Sequence, residues 1–275
     1  MTTPAAGAAA PGGPRRPRKP PKRAEVVSVS RVSPRLVSVL VTGDGLDGFA
    51  GAAPTSHLKV FLPADGQHEP VLPEFTPDGI VYAGDGPPPA VRTYTPRRYD
   101  PAGGTLEIQF LLHGAGPASH WAQRARPGDK LAVAGPGGRF SLEPAARHWW
   151  IAGDESALPA IGTLLDALPE TVTADVHVEV AGADDVIKLP EPGETLVTWH
   201  HRQPGGYGQE LAAAAARAAS VPDGARIWLA CESGAMRDIR RYFTREQGIP
   251  VSQLVTRGYW RLGEQNHPDH DYGED

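Results

Sequence analysis

A single cysteine, Cys231, in a chain of 275 residues rules out an intrachain disulfide and any cysteine-based zinc or iron–sulfur centre, and it fits a reducing, cytoplasmic setting. No stretch reaches the roughly eighteen consecutive apolar residues of a membrane span, so none is expected. The ten histidines show neither HExxH nor two-histidine-one-carboxylate spacing; His200 and His201 are adjacent and on a strand face opposite sides. A GxSxG elbow is also missing, which argues against hydrolase chemistry; the turn at 153–157 is not a GxGxxG fingerprint, and Gly135–Gly138 lacks the spacing and the following Lys-Ser/Thr of a Walker loop. What is abundant is glycine, 32 residues, and proline, 29, which predicts many turns and short strands and excludes a plain helical bundle. Apolar residues, at 40%, suffice for a buried core, and the length suits two domains of ordinary size.

Charge is uneven. The formal net charge is −5, yet residues 1–23 carry Arg15, Arg16, Arg18, Lys19, Lys22 and Arg23 without one acid, so the remainder is more acidic than the total suggests. This proline-rich leader lacks the apolar stretch of a secretory signal and reads as a disordered, solvated segment, with a nucleic-acid or membrane-surface arm as the alternative. Glu264, Asp269, Asp271, Glu274 and Asp275 make residues 264–275 an acidic tail that need not pack.

From Glu25 to Leu112 short apolar blocks alternate with Gly, Pro and Asp, the pattern of an antiparallel sandwich or barrel. Strands are expected at 36–42, 57–62, 91–95, 105–112 and 130–134, with Tyr99-Asp100-Pro101 as a turn and a helix at 117–125 opened by Pro117. After Ser141 strands at 149–152, 174–181, 196–199 and 227–230 alternate with helices at 158–168, 209–219 and 235–246, which predicts a doubly wound parallel sheet. The boundary is placed at 143/144, giving an antiparallel domain over 24–143 and an α/β domain over 144–263.

Four segments offer recognition chemistry. Arg92-Thr93-Tyr94-Thr95-Pro96-Arg97 supplies guanidiniums, a phenol ring and a hydroxyl suited to a diphosphate and a planar heterocycle, although arginine and tyrosine near a turn are more often surface residues. His113-Gly114 through Ala118-Ser119 leads glycines into a helix start, an anion site by its free N–H groups or a tight turn capped by Ser119 with Trp121 as core. Gly135-Pro136-Gly137-Gly138 reads as a turn closing the first domain. Gly153-Asp154-Glu155-Ser156-Ala157 is a first βα turn, where open α/β sheets bind nucleotides, or a cap built on Asp154 or Ser156. A comparable strand end recurs at Cys231-Glu232-Ser233.

Taken in order, RTYTPR at 92–97, LLHGAGPASHWA at 111–122, PGDKLAVAGPGG at 127–138, AGDESALPAIGTLL at 152–165, ESGAMRDIRRYF at 232–243 and GYWRLGE at 258–264 resemble the siderophore-interacting protein family. These are FAD-dependent ferric-siderophore reductases of the ferredoxin-reductase superfamily. The resemblance covers roughly residues 24–263. It implies an N-terminal antiparallel flavin-binding β-barrel followed by a C-terminal doubly wound parallel-sheet, nicotinamide-binding-like domain.

Carried over, it implies that Tyr94 stacks on the flavin, Thr95 bonds its edge and Arg92 and Arg97 neutralise the FAD phosphates. Leu111, His113, Ala118, Ser119 and Trp121 would hold the rest of FAD. The crevice at Gly153, Asp154, Glu155, Ser156, Ala157 and Glu232 would take NADH or NADPH, with ferredoxin as the other donor. Gln109 stands where the family often has Asp, and Ser156 where it often has Thr. Because the fold is acidic, cations should mark the docking site of an anionic ferric siderophore: Lys59, Arg257 and Arg261, each otherwise a surface cation. No acid–base catalytic side chain and no metal site are expected, since the flavin carries the chemistry. A general NAD(P)H:flavin or diaphorase-type reductase and a non-catalytic flavin- or siderophore-binding module are the rival readings.

Overall fold

The computed structural model describes residues 20–76, 79–82, 87–114, 116–138, 140–218, 221–268 and 271–272. The leader expected to be disordered lies outside the described residues as far as position 19. Its last residues do not: β1 (Lys22–Ser33) begins at Lys22, with Lys22 paired to Val133 and Arg23 to Ala132. Strand β1 turns at Pro34-Arg35 into β2 (Leu36–Thr42), followed by β3 (His57–Leu62), a hairpin of β4 (Pro73–Thr76) and β5 (Gly79–Tyr82), then β6 (Ala90–Tyr94), β7 (Pro96–Asp100) and β8 (Thr105–Leu111). Helix α1 (Pro117–Arg124) precedes β9 (Lys130–Gly137).

Seven of these strands form one antiparallel sheet ordered β6-β3-β9-β1-β2-β8-β7. Its two outermost strands, β6 and β7, are separated in sequence by Thr95 alone. A chain that passes from one edge to the other through one residue forces the sheet to curl until its edges meet, which makes it barrel-like. Alternation then sends Val37, Val39, Val41, Leu106, Ile108 and Phe110 inward, where burial contributes roughly 1.5–3 kcal/mol per large side chain.

Two local expectations are corrected. Gly135 to Gly137 is not a turn but the end of β9, with a bulge opposite His57 and Lys59. Glycine is needed there because a Cβ on Gly137 would lie 2.6 Å from the His57 ring. Tyr99 and Asp100 continue β7, and the turn follows them.

The second half begins at β10 (His148–Asp154), then α2 (Leu158–Ala167), β11 (Thr173–Val180), β12 (Glu194–His201), α3 (Gln209–Arg217), β13 (Arg226–Glu232), α4 (Ser233–Arg241) and β14 (Leu254–Trp260). All five strands are parallel, ordered β12-β11-β10-β13-β14, so the winding reverses between β10 and β13. Helix α2 covers one face through Leu158, Ile161, Leu164 and Leu165, and α3 and α4 cover the other through Leu211, Met236 and Ile239. Strand β14 was not foreseen, because Arg257 and Gly258 break its apolar run.

The acidic tail also differs from expectation. As the outer edge of the sheet, β14 has N–H groups without a ladder partner, and the tail supplies one: the Gly258 N–H donates to the Asp271 carbonyl at 2.8 Å. The Asp271 carboxylate accepts from Ser233 Oγ at 2.7 Å and pairs with Arg237 at 2.8 Å. Among the described residues no helix is long and apolar enough to cross a membrane.

Candidate active site

The closure of the antiparallel sheet gathers the 92–97 cluster. Tyr94, the last residue of β6, packs its ring on Phe110 of β8 at 4.4 Å between centroids, and Phe110 in turn meets Trp121 of α1 at 5.5 Å. Burial pushes the Tyr94 hydroxyl well above its ordinary range, with Arg92 opposing, so it stays a neutral donor. Arg92 is half-buried and donates to its neighbour's carbonyl, Val91 O, at 2.8 Å. Lys59 of β3 lies opposite Thr93 in the ladder and donates to its hydroxyl at 2.7 Å, which brings this cation beside the cluster.

Arg97 points elsewhere. Its guanidinium pairs with Asp166 of α2 at 2.6 Å and lies so close over Gly162 that a Cβ there would sit 2.8 Å from Nε. The pair ties the two halves together beside a second link, the Thr55 N–H bonded to Thr163 Oγ1 at 3.0 Å. Gln109 and Leu111 alternate onto the face of β8 opposite Phe110, and the Gln109 amide donates to Glu107 at 2.9 Å. The strand therefore does not bring these two to the Tyr94 ring.

After β8 the chain turns through exposed His113 and Gly114 into α1. Gly116 precedes the helix with φ 81° and ψ 153°, a region open essentially to glycine, and no side chain caps the helix start. The His113 N–H is bonded to the hydroxyl of buried Ser119 at 3.2 Å, so Ser119 and buried Ala118 hold the turn in shape. Partial desolvation and the neighbouring His120 lower the His113 pKa from its ordinary value. An uncapped helix start behind two glycines, with open space where a Gly114 Cβ would stand, fits a phosphate group. The partly buried Tyr94 ring nearby in the fold is the planar element that a flavin requires.

Across from this closure stands the carboxyl end of the parallel sheet. Gly153 is packed so tightly that a Cβ would lie 2.6 Å from that of buried Ala157. Asp154, buried at the end of β10, accepts from Ser156 N at 2.9 Å and Ser156 Oγ at 2.5 Å on one oxygen. Its other oxygen takes the Glu232 N–H at 3.0 Å and the Trp260 indole N–H at 2.7 Å. Burial raises its pKa to about 6, against the hydrogen bonds that favour the anion. Glu155 is buried in a bidentate pair with Arg202, both bonds 2.7 Å. Glu232 caps α4 through the Ala235 N–H.

Sequence reasoning assigned no role to four side chains that complete this crevice: Glu179, Arg202, Tyr207 and Trp260. Arg202 lies 3.5 Å from buried Glu179 and 4.5 Å over the Tyr207 ring, which meets Trp260 edge-on at 4.9 Å. The signal was there in Arg202 followed by Gly205-Gly206-Tyr207-Gly208 before α3, a third strand-to-helix turn of the same sheet. Tyr259 was also missed: burial lifts the pKa of its hydroxyl to about 12, with Arg257 and the nearby Thr95 side chain opposing. That proximity sets β14 beside the closure of the antiparallel sheet. Arg257, two residues earlier on the same face of β14, stacks 4.4 Å over Tyr272 of the tail. Arg261 is exposed and pairs with Glu264 at 3.3 Å.

A curled antiparallel sheet with a phosphate-ready helix start, facing the switch point of a parallel sheet, defines a two-domain flavoprotein reductase architecture. Residues 25–140 match the siderophore-interacting FAD-binding domain and residues 146–263 the siderophore-interacting protein family. The chain belongs to the siderophore-interacting protein family. It is 33% identical over 245 residues to the ferric vibriobactin reductase of Vibrio cholerae, covering 87% of this chain and 89% of that protein. It is 32% identical over 240 residues to the NADPH-dependent ferric-chelate reductase of Escherichia coli, covering 86% and 91%. Among solved structures, a siderophore utilization protein from T. fusca superposes with a TM-score of 0.80 at 32% identity, covering 92% of this chain and 98% of that one.

Proposed function

We propose that this protein is an FAD-dependent ferric-siderophore reductase: electrons from a reduced nicotinamide dinucleotide pass through the flavin to chelated ferric iron, which leaves as ferrous iron. The observation that carries the reading is the closure at Thr95. It supports the reading because Tyr94 and Arg92 of β6 end up beside Lys59 of β3 at the point where the sheet closes.

FAD, when bound, supplies the two-electron to one-electron conversion, so that one hydride donor serves two ferric ions. The chain's own residues bind and orient. Tyr94 would offer the stacking plane, the uncapped start of α1 and Arg92 would hold the phosphates, and Thr95, close to Tyr259, would hold the flavin edge. The tight Arg97–Asp166 pair gives Arg97 the work of holding α2 against the flavin domain. Lys59, Arg257 and Arg261 attract an anionic chelate toward an otherwise acidic surface.

The Escherichia coli relative's name supports a nicotinamide donor, and the crevice at the switch point is the place for it. The test is steady-state reduction of an anionic ferric siderophore by the FAD-loaded protein with NADH, NADPH or reduced ferredoxin as donor. Turnover with a small quinone but none with ferric siderophores would favour a general reductase. Failure to retain FAD would favour a binding module.

A further inference from the structure

The crevice residues close into a ring. Asp154 holds Trp260 by the indole N–H at 2.7 Å, and Trp260 meets Tyr207 edge-on at 4.9 Å with the rings at 86°. Tyr207 carries the Arg202 guanidinium on its face at 4.5 Å, and Arg202 returns to Glu155 through two bonds of 2.7 Å. Asp154 and Glu155 are neighbours in sequence, so the circuit is complete. It ties together the ends of β10, β12 and β14, and the Glu232 N–H on Asp154 adds β13. Glu179 steadies it by pairing with Arg202 and accepting the Gly208 N–H at 2.9 Å where α3 begins.

Neither carboxylate is offered to a ligand. Both are buried, every oxygen is bonded within the chain, and two adjacent anions would repel a pyrophosphate. The two aromatic members of the ring have the opposite character. Tyr207 and Trp260 present aromatic surface at right angles, which suits a planar heterocycle, while Arg202, its side chain 9% exposed and its guanidinium already on two carboxylates, backs the Tyr207 ring.

We propose that Asp154 and Glu155 are positioning residues: Asp154 holds Trp260, and Glu155 through Arg202 holds Tyr207, at the mouth of the crevice, and these two aromatic side chains meet the reduced dinucleotide. The proposal rests on the reading of this crevice as the donor site. It departs from the simpler assignment in which the Asp-Glu-Ser-Ala turn itself binds the donor.

The test is a double-mutant cycle on FAD-loaded protein with Asp154→Asn, Trp260→Phe and both together. Anaerobic flavin reduction by NADH and by NADPH is followed in separate arms, and re-oxidation of chemically reduced enzyme by a ferric chelate is followed alongside. If Asp154 acts through Trp260, each single change raises the half-saturating dinucleotide concentration about tenfold, and the double is no worse than the worse single. Near-UV circular dichroism of Asp154→Asn then reports a reoriented Trp260, and re-oxidation by the ferric chelate keeps its wild-type rate.

Losses that multiply in the double variant, or that appear equally in both half-reactions, would overturn the proposal. Should Asp154→Asn fail to fold, Trp260→Phe decides alone: wild-type affinity for both dinucleotides sinks the idea. If neither NADH nor NADPH reduces the wild-type flavin, the donor reading itself fails and the proposal with it. If they reduce wild type and variants alike, only the proposal fails.

Discussion

At the closure of the antiparallel sheet α1 starts without a side-chain cap and Gly114 borders open space, whereas at the switch point of the parallel sheet both oxygens of Asp154 and of Glu155 are bonded inside the chain. On the proposed function the two places serve the same electron path, and they use their polar groups in opposite ways. The first leaves donors unspent, as a site for a tightly held anionic cofactor must. The second satisfies its own charges and presents aromatic faces, as suits a substrate that arrives, reacts and leaves. The contrast teaches that a strand-to-helix turn rich in small residues does not by itself say what binds there; what matters is whether its polar atoms are already taken.

The comparison breaks most readily at the flavin side. Tyr94→Ala removes the stacking plane and part of the support for Phe110, so FAD affinity should fall by about 1–3 kcal/mol, seen as flavin lost on gel filtration while far-ultraviolet circular dichroism stays native. Retained stoichiometric flavin would place the cofactor elsewhere. Next in size, Gly116→Ala forces a side chain into backbone space reserved for glycine and should cost about 1–3 kcal/mol in urea unfolding of the FAD-free protein, with a further loss of flavin. An unchanged midpoint would mean that the turn before α1 relaxes freely.

On the crevice side the expected signal is a pH dependence. The Asp154 carboxyl has a folded pKa of about 6 against an ordinary 3.8, so the unfolded chain loses its proton first as pH rises. Its contribution to stability is full below the ordinary value and is lost on passing upward through about 6. The stability of wild type relative to Asp154→Asn should therefore decline across that window. A difference that is flat or rises with pH would show that the four hydrogen bonds outweigh burial. The smallest effect is expected at the surface. Lys59→Glu or Arg261→Glu should weaken an anionic ferric siderophore several-fold at low salt, fading as salt rises, with a neutral ferric chelate less affected. Equal kinetics for both variants and wild type below saturation would remove these residues from the docking site.

How much of this was readable beforehand follows from what kind of signal each part leaves. Strands β2, β3 and β8 and helix α2 carry clean alternation or a single apolar stripe, and they stand where the periodicity places them. Strand β14 has Arg257 and Gly258 in its middle, and a single sheet edge closed by a tail leaves no local pattern. Arg97 reads like Arg92 in sequence, yet its partner Asp166 is on a helix of the other half, a contact only the tertiary fold creates. Likewise the Glu155–Arg202–Tyr207–Trp260 chain joins the ends of β10, β12 and β14, which are far apart in sequence. Its members become meaningful only once the sheet order is known.

The central claim is electron transfer from a flavin held at the Thr95 closure to chelated ferric iron. It is tested most directly by reducing the FAD-loaded protein chemically without oxygen and mixing it with an anionic ferric siderophore in the presence of a ferrous trap. The account predicts that the visible flavin band returns while two equivalents of trapped ferrous iron appear for each flavin. A band that stays bleached in protein carrying its full complement of FAD would contradict it.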